Sequence, residues 1–351
     1  MDDSKVMEET KNYVGRIARE IKAEGKSYPD HQVDSIFIGG GTPSILEPDS
    51  IELLVHAVRE SFNVTGDCEV SIEVNPGVVN VEKLKGYINA GINRISIGVQ
   101  SFNDDVLKTL GRIHNSRDAE QVFRDAREAG FMNINLDLMF GIPYQSMEDW
   151  VNTLEKAISL NPEHLSVYSL QIEEGTPYYE SFMAGSFDEL PDEVDRAMYH
   201  RALEILKSAG YKHYEISNGA KVGFECRHNL KYWTGEEYLG FGDSSSSYVN
   251  HCRYIQMNGE KQDYHENTLF DDMSEFAFTE LRLRSGLSYS AFYRRFGMSP
   301  REAFADRWEE LREFFDSGAL IEYVTNEGEP ASLVITEKGI DISNRIMAVF
   351  V

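Results

Sequence analysis

Cysteine is scarce in this sequence of 351 residues, which contains three, Cys68, Cys226 and Cys252. An odd number of widely spaced thiols favours a reducing compartment over a disulfide framework. No stretch approaches the roughly 20 apolar residues of a membrane-spanning helix, and the acidic N-terminus has no apolar run of the signal-peptide kind. These absences predict a cytoplasmic protein without a membrane span.

Basic residues are also few. The chain contains 34 lysines and arginines against 59 aspartates and glutamates, which gives a formal net charge of −25. Such a charge repels phosphate backbones and anionic lipid surfaces, so we expect no nucleic-acid partner. One small basic group is formed by Arg282, Arg284, Arg294, Arg295 and Arg301.

Short β-branched runs alternate with amphipathic helices over the first half of the chain. After an opening helix over residues 4–23, strand and helix recur about every 30 residues, which is the spacing of βαβ units. This pattern predicts an α/β protein with a parallel sheet or partial barrel. The predicted strands are residues 33–38, 69–74, 94–99, 133–140 and 164–170, and the predicted helices are residues 51–61, 81–90, 116–129 and 146–160.

Beyond Gly175 the alternation stops. A helix over residues 192–209 leads to a loop-rich region, and the C-terminal pattern of helices followed by a hairpin resembles a winged helix. The predicted helices there are residues 273–284, 289–296 and 300–317, and the hairpin strands are residues 321–323 and 332–335. We therefore expect a partial barrel (1–175), a loop-rich connecting region (176–265) and a C-terminal α+β, winged-helix-like domain (266–351).

The loops at the carboxyl ends of parallel strands carry the working residues of α/β folds. The first such loop contains Gly40, Gly41 and Thr42, whose backbone can approach a ligand closely, although it matches neither the Walker nor the dinucleotide pattern. The later loops carry Glu73, Gln100, Arg112 and Asp137. These residues allow three interpretations: a ligand pocket, a carboxylate pair for acid–base hydrolysis, or helix caps and surface charges.

The segment around His228 combines metal-ligand residue types with aromatic residues. His228 and Tyr232 are one helical turn apart and could face a flat aromatic cofactor such as haem, whose iron accepts either side chain. A zinc site of Cys226, His228, His251 and Cys252 is an alternative, but its spacing matches no standard zinc signature. A histidine satisfied within the core is the third interpretation.

Six segments, taken in order, resemble the radical S-adenosylmethionine (SAM) family of oxygen-independent coproporphyrinogen oxidases. No single segment is specific, but their combination is. His228, Asn229 and Tyr232 resemble the H-N-x-x-Y haem-binding motif of the haem-chaperone branch of this family, HemW. The six segments are residues 36–44 (IFIGGGTPS), 71–77 (SIEVNPG), 96–102 (SIGVQSF), 110–114 (LGRIH), 137–143 (DLMFGIP) and 215–218 (EISN).

The resemblance covers nearly the whole chain and implies a partial (β/α) barrel of the radical SAM type. It implies that Gly40, Gly41, Thr42, Glu73, Gln100, Arg112 and Asp137 line the SAM pocket, and that His228 and Tyr232 bind haem. It also implies a [4Fe-4S] cluster, which this family holds with the motif C-x-x-x-C-x-x-C.

That cluster motif is absent from the sequence, and this is the main departure from the family pattern. In the family, the cluster loop and its strand precede the helix that begins here near Ser4. We therefore expect the first barrel strand and the motif upstream of Met1, and we expect no cluster ligation by this chain. A second departure lies at residues 243–247 (DSSSS), where relatives commonly carry small residues and a histidine.

The function expected from the resemblance is that of a haem chaperone, which binds haem or a porphyrin and passes haem to an unidentified acceptor protein. One alternative is a non-enzymatic haem-binding protein that has lost the cluster. Another is an oxygen-independent coproporphyrinogen oxidative decarboxylase. A winged-helix regulator fused to a degenerate barrel is disfavoured by the acidity of the chain.

Overall fold

The computed structural model describes residues 3–351, and their side chains from Glu8 onward apart from that of Pro177. The chain divides into two compact units. Unit 1 comprises Met1–His213 with Ser217–Glu225, and unit 2 comprises Tyr214–Ile216 with Cys226–Val351. The described part of the chain contains no helix that is long and apolar enough to cross a membrane. The division into three parts that the sequence suggested stays a prediction.

A seven-stranded sheet curls into a half-barrel, with the strand order β1-β2-β3-β4-β5-β7-β6, and all of it except Tyr214 and Glu215 of β6 belongs to unit 1. Strands β1 to β5 are parallel, and β7 is antiparallel to β5. The strands are β1 (Gln32–Ile38), β2 (Asn63–Val74), β3 (Arg94–Gln100), β4 (Ile134–Phe140), β5 (His164–Ser169), β6 (Lys212–Glu215) and β7 (Asn218–Ala220). The predicted partial barrel is thereby confirmed.

The helices of unit 1 alternate with these strands. They are α1 (Asp3–Glu24), α2 (Pro48–Ser61), α3 (Val81–Asn89), α4 (Asp104–Thr109), α5 (Ser116–Ala129), α6 (Met147–Ser159), α7 (Pro177–Met183) and α8 (Asp192–Ser208). Capping boxes at Asn115 and Ser146 begin α5 and α6, because each side chain accepts a bond from the first helical turn. Val122 and Phe123 of α5 are buried, as are Ile95 and Ile97 of β3.

Unit 2 begins with α9 (Arg227–Trp233) and contains two antiparallel sheets, of strand orders β10-β9-β8 and β11-β13-β12. The first sheet was not predicted. Its strands are β8 (Ser246–Val249), β9 (Cys252–Met257) and β10 (Glu260–Glu266), and those of the second are β11 (Leu287–Ser288), β12 (Leu320–Val324) and β13 (Pro330–Ile335). The helices are α10 (Leu269–Glu280), α11 (Tyr289–Phe296), α12 (Pro300–Ala303), α13 (Arg312–Asp316) and α14 (Ser343–Ala348).

The C-terminal part of unit 2 has the predicted helices and hairpin, with two differences. Helix α10 begins at Leu269 rather than 273, because Thr268 caps it through the backbone N–H of Asp271. The predicted helix over 300–317 is interrupted after α12, where Phe304 leaves helical backbone and is buried in the core at 1% exposure.

Glu280, at the end of α10, is a carboxyl buried in unit 2, with 6% of its surface exposed. Burial raises its pKa to about 7, although the hydrogen bond from the backbone N–H of Ser288 (2.8 Å) and the charge of Arg295 act to lower it. A carboxyl whose pKa is raised on folding stabilises the folded state below its unfolded pKa, and this stability is lost as pH rises through the folded pKa.

We predict that the free energy of unfolding of the wild type falls relative to that of Glu280→Gln between pH 4.5 and 8. The loss is up to about 3 kcal/mol, since one pKa unit corresponds to about 1.4 kcal/mol. Urea unfolding at several pH values measures it. Glu337→Gln, at an exposed position of the same unit, is the control. Parallel pH curves for the wild type and Glu280→Gln would contradict the prediction.

Candidate cofactor-binding site

The inner face of the half-barrel carries a row of polar side chains, one from each of four neighbouring strands. Glu73 lies opposite Ser96, Ser96 opposite Asn135, and Asn135 opposite His164. Because successive residues of a strand point to opposite faces, this row lies on the face away from buried Ile95. The sequence folds this way because polar and apolar residues alternate within β2 to β5.

Asp137 follows this row on β4 and is held by it. Asn135 Nδ2 donates to Asp137 Oδ1 (2.8 Å), and Ser96 Oγ donates to Asp137 Oδ2 (2.9 Å). Burial raises the pKa of Asp137, although the hydrogen bonds from Ser96 and Asn135 act to lower it. The carboxyl therefore has a fixed orientation and a pKa above its ordinary value.

His164 and Arg94 extend this network to buried positions. His164 is fully buried, and its Nδ1 lies 2.6 Å from Asn135 Oδ1. Burial holds the pKa of His164 well below its ordinary value, and the charge of Arg94 lowers it further. A neutral imidazole that faces an amide oxygen carries its proton on Nδ1, so His164 donates to Asn135. Arg94 itself is 2% exposed and acts to lower the pKa of Asp137.

The loop after β1 needs glycine at two positions. Gly40 and Gly41 have φ values of +80° and +65°, which side chains rarely adopt, and a Cβ at either would meet nothing within 4 Å. The backbone N–H of Gly40 donates to Glu73 Oε2 (3.1 Å). Thr42 follows and caps a short 3₁₀ turn without a side-chain bond. The loop thus presents open backbone beside a carboxyl group.

Glu73 is the carboxyl that this loop contacts. Burial raises its pKa, Gly40 opposes that rise through its hydrogen bond, and the charge of Asp137 adds to it. Burial also lowers the pKa of Arg112, while the charge of Asp137 acts to raise it. Asp137 is thus within electrostatic range of both Glu73 and Arg112. The sequence analysis expected Glu73 and Asp137 on loops, but both lie within strands, near the end of β2 and in β4.

Gln100 ends β3 in a left-handed conformation, with φ of +63°, and is 8% exposed. A Cβ at Gly98 would lie 3.0 Å from Asn75 Oδ1 and 3.3 Å from Gln100 Nε2. Glycine at this position therefore leaves room for both amide side chains. The backbone N–H of Asn75 also donates to Ser44 Oγ (3.2 Å), which ties the loop after β2 to that after β1.

His228 and Tyr232 belong to α9 in unit 2. His228 Nε2 and Tyr232 Oη are 2.9 Å apart, and the two rings are perpendicular with centroids 5.3 Å apart. Tyr232 also packs edge-on against Tyr238 at 4.7 Å. Burial raises the pKa of Tyr232 to about 12, and the neighbouring Tyr238 and Cys226 contribute.

Comparison with known proteins relates both units to one family. The Radical SAM superfamily model matches residues 4–157, and the HemN C-terminal domain model matches residues 268–322. The "Heme chaperone HemW" of Bacillus subtilis is 37% identical over 311 residues, which cover 84% of this chain and 82% of that protein. The chain belongs to the HemW family.

Other HemW proteins match over different lengths. That of Lactococcus lactis is 32% identical over 93% of this chain and 87% of its own length. Those of Escherichia coli and Haemophilus influenzae are 41% and 40% identical, and each match spans 60% of the relative's length. Coproporphyrinogen III oxidase (HemN) from Escherichia coli, described as a radical SAM enzyme, has a TM-score of 0.83 at 22% identity over 97% of this chain and 83% of its own, which shows a shared fold.

The HemW family is part of the radical SAM superfamily, whose members use SAM and a [4Fe-4S] cluster. The described thiols do not fit such a cluster. Cys68 is buried on β2, Cys226 lies in unit 2, and Cys252 is on β9. Among the residues described, no three His, Cys, Asp or Glu side chains are grouped to hold a metal ion.

In this HemW-family chain, the structure shows further residues of the candidate site that the sequence analysis did not identify. Asn135, Ser96 and His164 hold or extend the Asp137 network, and Gly98 makes space beside Gln100. They lie within strands, whereas the sequence analysis expected the site residues on loops. The alternation of polar Glu69, Ser71 and Glu73 with apolar residues in β2 was a usable signal for a polar inner face.

We predict that Asp137→Asn weakens SAM binding roughly 10- to 100-fold, because a hydrogen bond to a charged group contributes about 1.5–3 kcal/mol. The substitution keeps the shape of the side chain but removes the carboxylate. Isothermal titration calorimetry measures the Kd, with Asp105→Asn on exposed α4 as the matched control. Equal SAM affinity of Asp137→Asn and the wild type would remove Asp137 from the pocket.

Proposed function

We propose that this protein is a haem chaperone, which binds haem on unit 2 and passes it to an acceptor protein. The observation that carries the proposal is the pairing of His228 and Tyr232 on α9, 2.9 Å apart, in a chain similar to "Heme chaperone HemW" proteins. Haem iron accepts histidine or tyrosine as an axial ligand. The acceptor is not identified by any feature of the chain.

His228 rather than Tyr232 is the iron ligand that we propose. With its pKa raised to about 12, the phenol of Tyr232 stays protonated at neutral pH, and a protonated phenol is a poor ligand. The Tyr232 hydroxyl lies 2.9 Å from Nε2 of the His228 imidazole. Haem binding through Nε2 therefore requires that contact to break, and Tyr232 regulates access to the ligand.

The polar side chains of the half-barrel, together with the loop after β1, fit the chemistry of SAM. Glu73 and Asp137 are acceptors suited to the amino group and ribose hydroxyls, and Arg112 is a donor suited to the carboxylate. Gly40 and Gly41 leave open space and backbone for close approach. When bound to a cluster, SAM supplies a radical in this superfamily; the residues named here would bind and orient SAM.

A second candidate function is haem binding without radical chemistry. It is favoured by the described residues, among which no three His, Cys, Asp or Glu side chains are grouped to hold a metal ion. SAM cleavage separates the two candidates, because only the radical SAM function forms 5′-deoxyadenosine.

For the 351-residue chain we predict no cluster and no SAM cleavage. Anaerobic reconstitution with iron and sulfide, followed by iron analysis and a dithionite assay for 5′-deoxyadenosine, measures both. The triple variant Cys68→Ser, Cys226→Ser, Cys252→Ser is the control for nonspecific iron. About four irons per chain, as a [4Fe-4S] cluster requires, together with 5′-deoxyadenosine, would refute the prediction.

For haem, we predict that His228→Ala lowers the affinity of α9 by at least about tenfold, since it removes the axial ligand. Tyr232→Phe removes the contact on Nε2, so we expect its haem affinity to be at least that of the wild type. The gain is at most a few fold, because one hydrogen bond contributes about 1 kcal/mol. Spectrophotometric haem titration measures both variants. His56→Ala, at an exposed position of α2, is the control.

An unchanged Soret band and an unchanged Kd in His228→Ala would exclude His228 as the ligand. Weaker binding by Tyr232→Phe than by the wild type would show that the hydroxyl supports haem binding instead of competing for Nε2.

A further inference from the structure

Arg94 is a charged side chain enclosed in the half-barrel. It is 2% exposed, and a guanidinium keeps its charge in any protein environment. Arg94 lies two residues before Ser96 on β3, so both side chains point to the inner face of the sheet. A buried charge is costly unless other groups compensate it. The position of Arg94 therefore requires a physical reason.

Hydrogen bonding is not that reason. The Nε of Arg94 has no hydrogen-bond partner in the described part of the chain, and among the same residues its guanidinium forms no ion pair. Ser71, the residue opposite on β2, is fully buried, and its Oγ has no described partner either. An arginine that tied neighbouring strands together would use the donors that Arg94 leaves unused. Its charge is therefore the property that acts on the interior.

The groups on which this charge acts belong to the hydrogen-bonded chain that holds Asp137. Ser96 Oγ donates to Asp137 Oδ2 (2.9 Å) and accepts from Asn135 Nδ2 (2.7 Å). The same Asn135 contacts His164 Nδ1 through its Oδ1 (2.6 Å). The positive charge of Arg94 favours the ionised form of Asp137 and the neutral form of His164. Both effects stabilise the arrangement that the hydrogen bonds define.

The other charged groups around Asp137 act in both directions. Glu73 on β2 repels its negative charge, whereas Arg112, between α4 and α5, attracts it. Glu69 is a further carboxyl buried on the inner face of β2. Arg112 is half-buried on a loop, but Arg94 is within a strand and shielded from solvent. Because salt screens buried charges much less than exposed ones, the action of Arg94 is the more constant of the two.

We propose that Arg94 is a positioning residue of the SAM site, which acts through Asp137. Its charge keeps the Asp137 carboxyl ionised, so that this carboxyl accepts from Asn135 and Ser96 and still has lone pairs for donors of SAM. A protonated carboxyl would itself carry a donor and lose part of that capacity. The inference rests on the proposed SAM site in the half-barrel and deepens it.

The inference predicts how SAM binding depends on pH. Binding that requires ionised Asp137 weakens as pH falls through the pKa of this carboxyl. Without the charge of Arg94 that pKa is higher, so the weakening begins at a higher pH. Arg94→Gln should raise the midpoint by about one pH unit or more, because a nearby opposite charge shifts the pKa of an aspartate by about 1–3 units. Below the midpoint, SAM should bind about tenfold more weakly than to the wild type, and well above it equally well.

Isothermal titration calorimetry of SAM with the full chain at several pH values is the test. Titration of the SAM amino group is common to all variants and cancels in their comparison. Arg94→Lys keeps the charge and should retain the wild-type midpoint. In the Asp137→Asn background, Arg94→Gln should have no further effect on the pH dependence. Arg124→Gln, which changes an exposed arginine on α5, is the matched control.

NMR of isotope-labelled aspartate carboxyls, assigned with Asp137→Asn, follows the ionisation of Asp137 without SAM. The same Asp137 midpoint in Arg94→Gln and the wild type would overturn the inference and leave the SAM site standing. Absence of SAM binding by the wild type at every pH would instead overturn the SAM site itself. If Arg94→Gln does not fold, Arg94→Lys decides: an unchanged midpoint supports the action of the charge, and a midpoint raised as expected for Arg94→Gln refutes it.

Discussion

A carboxylate inside a protein must be satisfied by hydrogen bonds, and the interior of unit 1 is arranged around one, that of Asp137. Its two oxygens accept from Asn135 and Ser96, which lie on neighbouring strands. A shift of β4 against β3 by one residue would turn Asn135 and Asp137 to the outer face and bring Leu136 inward. The polar interior and the apolar outer face therefore depend on the same strand register. The positions of the Gly40 loop after β1 and of Gln100 at the end of β3 depend on it too.

Much of unit 1 could be predicted because parallel strands and covering helices leave a strong pattern. The run of Ile95, Ile97 and Val99 in β3 indicated a buried strand, and Glu73 and Asp137 were identified from their positions near strand ends. The role of Asn135 could not be found in this way, because its importance comes from hydrogen bonds to residues 39 positions away and on its own strand. Sequence spacing does not reveal partners that only the sheet register brings together.

Unit 2 was harder to predict than unit 1, because one of its sheets depends on short turns between the strands. Strands β8 and β9 are joined by a turn at Asn250 and His251, whose left-handed backbone has no strong sequence signature because neither residue is glycine. The turn between β9 and β10 is Asn258-Gly259, a hairpin signal that was usable but was not used. Helix periodicity placed His228 and Tyr232 side by side, and the structure has them in contact. For His251 the sequence offered only an alternative zinc set, because its carboxylate partner, Asp272, lies 21 residues away on α10. His228 contacts the hydroxyl of Tyr232 and His251 contacts the carboxyl of Asp272, so the two histidines differ in their hydrogen-bond partners.

Four arginines of the basic group, Arg282, Arg284, Arg295 and Arg301, are engaged within unit 2. Arg282 lies 4.2 Å from the ring of Trp233, Arg284 donates to the carbonyl of Ile335, and Arg301 pairs with Glu322. The acidic side chains thus dominate the charge that the protein presents to its surroundings. An anionic ligand is repelled by this field, so its encounter with the protein is slowed, and salt relieves that repulsion because the Debye length is about 10 Å at 0.1 M. Salt should therefore speed the arrival of an anionic ligand and slow the arrival of a basic partner.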